Sequence, residues 1–414
     1  MKLCFSPLKA FYRFSIFSPR NLCYNLKHFS AKRKWDISSC PRVTSVFNNN
    51  KFQSQDNLKN SPLSSRIDNL LAISPSLTIN EISYLLSYST KDGKHQLSDH
   101  HFKTISKLLG EFNNNSIIMT PDYIALSYRV FSKVKFMSKE ELLLTAELTR
   151  QLQMCNDRFH LDLISSMLQN FNKFTGDKPF ERILLSEINK KLANCIGNMN
   201  DSLAWKVMVG LTNLKTHNRV VRELIKLLTP LFYNMEEPFS PRTVRFAMYG
   251  LTGSKNCVEI HNLLNVFSSK IRGCTENMNP YEISIAYLGC KDFTTEDVSV
   301  VSIIEALNLK FKNCELPFNT RQLSLIMLGA KKFNSDHKVV RELFFIINNK
   351  LSTCYDEFSN VNIEIFIRGF DYKNSVYPEI RELFSAFTRK ITNCDPILSG
   401  PFPASKLIFI LNGI

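Results

Sequence analysis

The sequence predicts an all-α protein, an α-solenoid of stacked two-helix repeats of about 40 residues, because three columns of residues keep one beat along the chain. Cys155, Cys195, Cys274, Cys314, Cys354 and Cys394 follow one another at intervals of 40, 79, 40, 40 and 40 residues, with Asn234 near the vacant place. Gly210, Gly250, Gly289, Gly329 and Gly369 run in the same register, each closing an apolar run such as WKVMVG, RFAMYG or LSLIMLG. Lys191, Lys270, Lys310, Lys350 and Lys390 each stand four residues before a cysteine of the first column. A hairpin of this size cannot bury both of its helices alone, so copies must stack and share a continuous core.

Within each copy the first helix is expected to begin ten residues before the glycine, at Asn200, Ser240, Asn279, Asn319 and Ser359, with Pro241 and Pro280 at the first helical position. These side chains carry an oxygen for the orphan amides of a helix start, and proline has no amide to leave unpaired. The glycine is expected at the end of that helix or at a close helix crossing, where the missing Cβ is an advantage. Asn170 and Phe131 hold the same place in two earlier copies.

The second helix is read at 180–192, 220–232, 258–271, 300–311, 339–351 and 378–391, where apolar residues recur at three- and four-residue intervals. Each copy then ends at the cysteine, read as a small buried hydrophobe. Eleven cysteines in 414 residues include no CxxC pair and no Cys/His cluster at metal-ligand spacing, so neither metal nor other cofactor is expected.

Four regions follow in order. Residues 1–40 are rich in Lys, Arg, Phe and Ser, with no acid before Asp36, the pattern of a mitochondrial targeting segment, or alternatively a plastid one. Residues 41–65 read as a disordered Asn/Ser/Gln-rich linker, and 66–119 as a degenerate helical region. Residues 120–414 hold about seven repeats, the last copy, SKLIFILNGI near Gly413, being truncated. No stretch approaches the length of an apolar membrane span.

The formal charge of +15 resembles a nucleic-acid signature, but nine Lys/Arg against one acid put +8 of it in residues 1–50. Attention therefore passes to where the other cations recur. The lysine column complements the dipole at the end of the second helix, and it could also form a ladder along a phosphate backbone. Arg182, Arg222, Arg341 and Arg381 form a second column near the start of that helix, beside Glu181, Glu223, Glu342 and Glu382. Salt bridges between repeats are the alternative to phosphate contacts there. On the first helix, the positions eight and five before the glycine vary from copy to copy, as base contacts or surface drift would both allow: Trp205, Arg242, Arg245, Tyr281, Arg321 and Ser324.

No Gly-rich phosphate loop, HExxH or GxSxG is present, and no enzyme is expected. Asp99, His100 and His101 form a compact acid/His group read as a solvated loop.

The apolar run into Gly-Leu, then Val-Arg-Glu-Leu at 221–224 and 340–343, then Lys-Leu-x-x-Cys at 191–195 and 350–354, resembles the organellar helical-hairpin repeat proteins. Octotricopeptide and heptatricopeptide families are the nearest in pattern, related in style to pentatricopeptide proteins. The resemblance covers about 120–414. It implies a factor that binds single-stranded RNA in the mitochondrial matrix and acts in transcript processing, stability, translation or ribosome assembly. The alternative expectation is a protein-interaction scaffold, or a structural subunit of the mitochondrial ribosome or another organellar complex.

Overall fold

The computed structural model describes residues 78–88, 98–132, 138–371 and 373–392. The expected targeting segment, the linker, Cys394 and the truncated copy around Gly413 lie outside the described residues. Sixteen α-helices and no strand occur among the described residues. They form eight hairpins: α1 (Ile79–Tyr88) with α2 (Asp99–Asn114), α3 (Pro121–Ser127) with α4 (Lys139–Met154), and α5 (Leu161–Gln169) with α6 (Pro179–Ala193). Then come α7 (Asp201–Leu211) with α8 (Arg219–Tyr233), α9 (Pro241–Tyr249) with α10 (Val258–Arg272), and α11 (Pro280–Gly289) with α12 (Val298–Lys312). The last two are α13 (Thr320–Gly329) with α14 (Lys338–Ser352), and α15 (Asn360–Ile367) with α16 (Pro378–Thr392).

Each helix packs on the one two places further along the chain, which gives a layer of odd-numbered helices and a layer of even-numbered ones. The α-solenoid expected from the periodicity is the fold observed. Among the described residues no helix is long and apolar enough to cross a membrane.

The two layers differ because their surroundings differ. In α8 the buried residues Val221, Leu224, Ile225, Leu228 and Phe232 lie on one stripe, as on any helix with one face in water. In α11 every residue from Ile283 to Gly289 is buried, since the helix is flanked on both sides within its layer and covered by the even-numbered layer. The core between layers is rich in phenylalanine; Phe311, Phe333 and Phe344 are fully buried, each burial contributing roughly 1.5–3 kcal/mol.

The five expected caps are made. Asn200, Ser240, Asn279, Asn319 and Ser359 accept from the amides of Leu203, Thr243, Glu282, Gln322 and Asn362. At Asn279 and Asn319 the third helical residue, Glu282 or Gln322, answers from its own side chain in a reciprocal box.

The glycine column serves the crossing. A Cβ on Gly329 would lie 2.1 Å from the Tyr287 carbonyl oxygen, and one on Gly289 would lie 2.2 Å from that of Met248. Gly210 and Gly250 face Leu168 and Met208 in the same way. Each glycine therefore meets the backbone of the residue two places before its counterpart one repeat earlier. None of the column has a positive φ, so the left-handed cap is not the reason for glycine here.

Asp99, His100 and His101 are not a loop. They open α2, where Ser98 is the cap and His101, only 2% exposed, accepts from the Ser98 amide through Nδ1 at 3.0 Å. A histidine does here what Glu282 does in α11, a substitution that the pattern of Glu or Gln at this position hid.

Candidate nucleic-acid interface

Most of the cations that recur with the repeat donate to main-chain oxygens of the array. Lys191 donates to the Cys155 carbonyl at 2.5 Å and Lys350 to the Cys314 carbonyl at 2.6 Å. Lys270, Lys310 and Lys390 donate likewise to Met235, Cys274 and Cys354. Each acceptor belongs to the end of the even-numbered helix one repeat earlier, so every lysine caps its neighbour's helix as well as complementing its own dipole. All five are half-buried.

The arginine column holds the loop inside its own hairpin. Arg341 Nη1 donates to the carbonyls of Ser335 (3.1 Å) and Asp336 (2.7 Å), Arg381 to those of Ser375 and Val376, and Arg222 to those of Thr216 and His217. One salt bridge between repeats, of the kind weighed for this column, joins Arg222 to Glu259 at 3.9 Å. Arg182 is exposed.

Sequence reasoning missed a hydroxyl column six residues after the glycines. Thr216 Oγ1 accepts from the Lys255 amide at 2.7 Å, Thr295 Oγ1 from Asn334 at 2.8 Å, and Ser335 Oγ from Asn374 at 3.0 Å. These bonds tie each hairpin loop to the next one, and the 40-residue spacing of Thr295, Ser335 and Ser375 was the signal available.

Three other cations, Lys206, Arg242 and Arg245, lie close together on the odd-numbered layer. Arg242 lies over the Trp205 ring, its guanidinium carbon 3.8 Å from the centroid. Trp205 and Phe246 are tilted rings 6.0 Å apart. Arg245 sits 4.3 Å from the Phe246 centroid and 5.2 Å from that of Tyr281. A continuous row of Arg242, Trp205, Phe246, Arg245 and Tyr281 thus crosses α7, α9 and α11. Such contacts are worth about 0.5–2 kcal/mol each, more as water is excluded.

Local sequence explains why these side chains stand here. Ser240 caps α9 and its Oγ also donates to Asp201 Oδ2 at 2.7 Å, which sets the start of α9 beside the start of α7. Arg242 and Arg245, one turn apart, then share one face of α9. Lys206, on α7, joins the group. Burial, with Arg129 and Arg242 near, lowers its amine below the ordinary lysine range, against the pull of Asp162. Burial and then Arg245 lower the Arg242 guanidinium, while Asp201 opposes; burial lowers that of Arg245, while Tyr281 and Glu282 oppose. Guanidinium groups stay protonated in proteins, so these shifts describe crowded, partly desolvated cations. Lys206 and Arg242 make no hydrogen bond or ion pair among the described residues, and the buried Nε of Arg245 has no acceptor there.

Of the positions expected to face bases, Tyr281 (40% exposed), Arg321, Arg242 and Arg245 reach the surface of this layer. Two do not. Trp205 is 6% exposed, covered by Arg242, and Ser324 is fully buried, its Oγ donating to the Thr320 and Asn362 carbonyls in the crossing between α13 and α15. The reason is the tight glycine crossing, which carries the residue five before the glycine into contact with the next short helix: a short serine is sealed there, whereas the long Arg245 side chain reaches past it to Tyr281 and the surface. Ser284 is fully buried at the same position.

Among the described residues no three His, Cys, Asp or Glu side chains come together as metal ligands. On the other layer, a cleft of about 530 Å³ between α12 and α14 is lined by Lys312, Leu316, Phe345, Ile346, Lys350 and Tyr355. Compared with known proteins, the chain matches no family model and no curated sequence.

Proposed function

We propose that this chain is an RNA-binding helical-repeat protein of the mitochondrial matrix, with the plastid as the alternative compartment, acting in transcript processing, stability, translation or ribosome assembly. One observation carries the RNA reading: three neighbouring cations, Lys206, Arg242 and Arg245, are partly desolvated and in no salt bridge among the described residues, two of them on aromatic rings. An anionic partner relieves their mutual repulsion, and the planar guanidinium offers both phosphate hydrogen bonds and a stacking surface for bases. The resemblance of the repeat to organellar families adds the class of ligand, and the basic segment 1–40 adds the compartment. No step of bond making or breaking is assigned to it.

The test is binding of single-stranded RNA to the full chain as a function of salt. Neutralising about three phosphates gives a slope near −2 in log affinity against log salt, and no measurable affinity at low salt removes the reading. Import of the chain into isolated mitochondria tests the compartment.

The cleft beside Phe345 and Tyr355, both exposed apolar rings, favours a second reading as a scaffold or structural subunit of an organellar complex. Co-sedimentation with a protein complex that survives nuclease treatment distinguishes it.

A further inference from the structure

A solenoid that reads one base per repeat needs an available side chain in every copy. Along the odd-numbered layer that condition fails in a graded way. Taking the face that carries Arg242 and Arg245, α5 presents Asp162, a carboxylate, one repeat before the row begins. On α7 and α9 the face carries Lys206, Arg242 and Arg245. On α11 it carries Tyr281, and one turn further on the same face closes into an apolar cluster, Ile285 and Leu288 with Leu325 of α13, packed against Tyr249 and Leu328. On α13 it carries a single exposed arginine, Arg321, and on α15 Val361 and the pair Glu364–Arg368, joined at 2.6 Å. The positions five before the glycine on α11 and α13, Ser284 and Ser324, are sealed in the helix crossings.

The recurring lysines, and the recurring arginines other than Arg182, are bonded to main-chain oxygens of the array. What repeats is therefore structural, and among the described residues the cluster of Lys206, Arg242 and Arg245 is bounded by an acid on one side and by aliphatic contacts on the other, with Arg321 standing alone beyond them.

Resting on the RNA reading above, the geometry points to a single short footprint: single-stranded RNA is held only across α7, α9 and α11, with the Arg242 and Arg245 guanidinium planes stacking bases while their N–H groups and the Lys206 ammonium neutralise about three phosphates. Two helix-to-helix steps of about 8–10 Å span roughly 16–20 Å, or about five nucleotides at the stacked spacing of roughly 3.4 Å. The other repeats supply rigidity and carry no register.

Oligouridylates from about 3 to about 18 nucleotides, bound to the full chain at low salt and followed by fluorescence anisotropy, test this. Affinity is expected to rise steeply to about six nucleotides and then by no more than about fourfold, the gain from extra registers on a longer strand. The triple variant Lys206→Gln, Arg242→Gln, Arg245→Gln is expected to lose about 30-fold or more at every length. A double variant, Arg242→Lys with Arg245→Lys, keeps the charge and the fold. It is expected to retain the salt slope while losing several-fold in affinity, because an ammonium does not stack. Affinity that keeps climbing tenfold with each added repeat's worth of nucleotides, or an 18-mer indifferent to the triple variant, overturns the confined footprint and leaves RNA binding standing. Absence of binding at every length overturns the RNA reading itself.

Discussion

The ammonium of Lys350 donates a 2.6 Å hydrogen bond to the main-chain oxygen of Cys314, two residues beyond the end of the even-numbered helix one repeat earlier. The same bond recurs at four other lysines. A cation read from sequence as complementing its own helix also caps the neighbouring one, which converts a helix end into an inter-repeat clamp. Changing Lys350 to Met keeps the apolar stem and leaves the Cys314 oxygen without this donor. The loss expected is about 1–2 kcal/mol in urea denaturation. RNA affinity should change by less than about twofold, since the site proposed lies on the other layer.

The glycine crossing gives a sharper test. Gly329→Ala places a methyl group 2.1 Å from the Tyr287 oxygen, a distance only a separation of α11 and α13 can relieve. A loss of about 3 kcal/mol is expected, toward the upper end for overpacking. Gly273→Ala is the control, since there the nearest atoms to a new Cβ are 3.6 Å away and φ is −70°. That variant should be neutral, or more stable by about 0.5 kcal/mol through a less flexible unfolded chain. Similar midpoints for the two variants would contradict the crossing geometry.

Buried polar atoms also link the layers. Tyr287 donates its hydroxyl to Asn308 Oδ1 at 2.7 Å, and Asn308 Nδ2 donates to the Val339 carbonyl at 2.9 Å, all within the core. Tyr287→Phe leaves the Asn308 oxygen without that donor, and a destabilisation of about 1–3 kcal/mol is expected by thermal or chemical unfolding.

Lys373 makes stability depend on pH. It stands 40 residues after Phe333, in a column that is phenylalanine at 293 and 333, and its amine donates to the carbonyls of Phe333 (2.6 Å), Lys331 (3.0 Å) and Asp371 (3.1 Å). Burial pushes the amine down to about 7, Asp371 opposing. The unfolded chain titrates near the ordinary lysine value of about 10.4. Between these values the unfolded state holds a proton that the native state lacks, so this residue makes stability rise as pH increases from about 7 to about 10. Lys373→Met is expected to show a smaller gain in stability than the wild type between about pH 7 and about pH 9, read as the change with pH in the difference between the two urea midpoints. A constant difference across that window would show that Lys373 keeps its proton in the folded protein.

Much of this molecule was open to reading from the chain alone. Helix positions, caps and the stacking of hairpins follow from local features that carry their own signal: apolar spacing, an Asn or Ser at a helix start, a glycine every 40 residues. A repeat amplifies such signals because each copy states them again. The hairpin at 79–114 stacks in the same two layers without obeying the cysteine and glycine columns, so its place was not visible in those markers.

The destinations of the cations were a different matter. The lysines and arginines that keep the beat donate to backbone oxygens, and every residue has one, so nothing in a sequence marks which oxygen a helix end will leave unpaired 36 residues away. Only stacking brings the Cys314 carbonyl to Lys350. The tight approach permitted by glycine likewise buries Ser324, while the longer Arg245 at the equivalent position reaches the surface of the layer. The array and its period were determined by the sequence. Which cations bind the array and which face outward was decided by tertiary contacts, since that choice depends on distances between chain segments that no local pattern encodes.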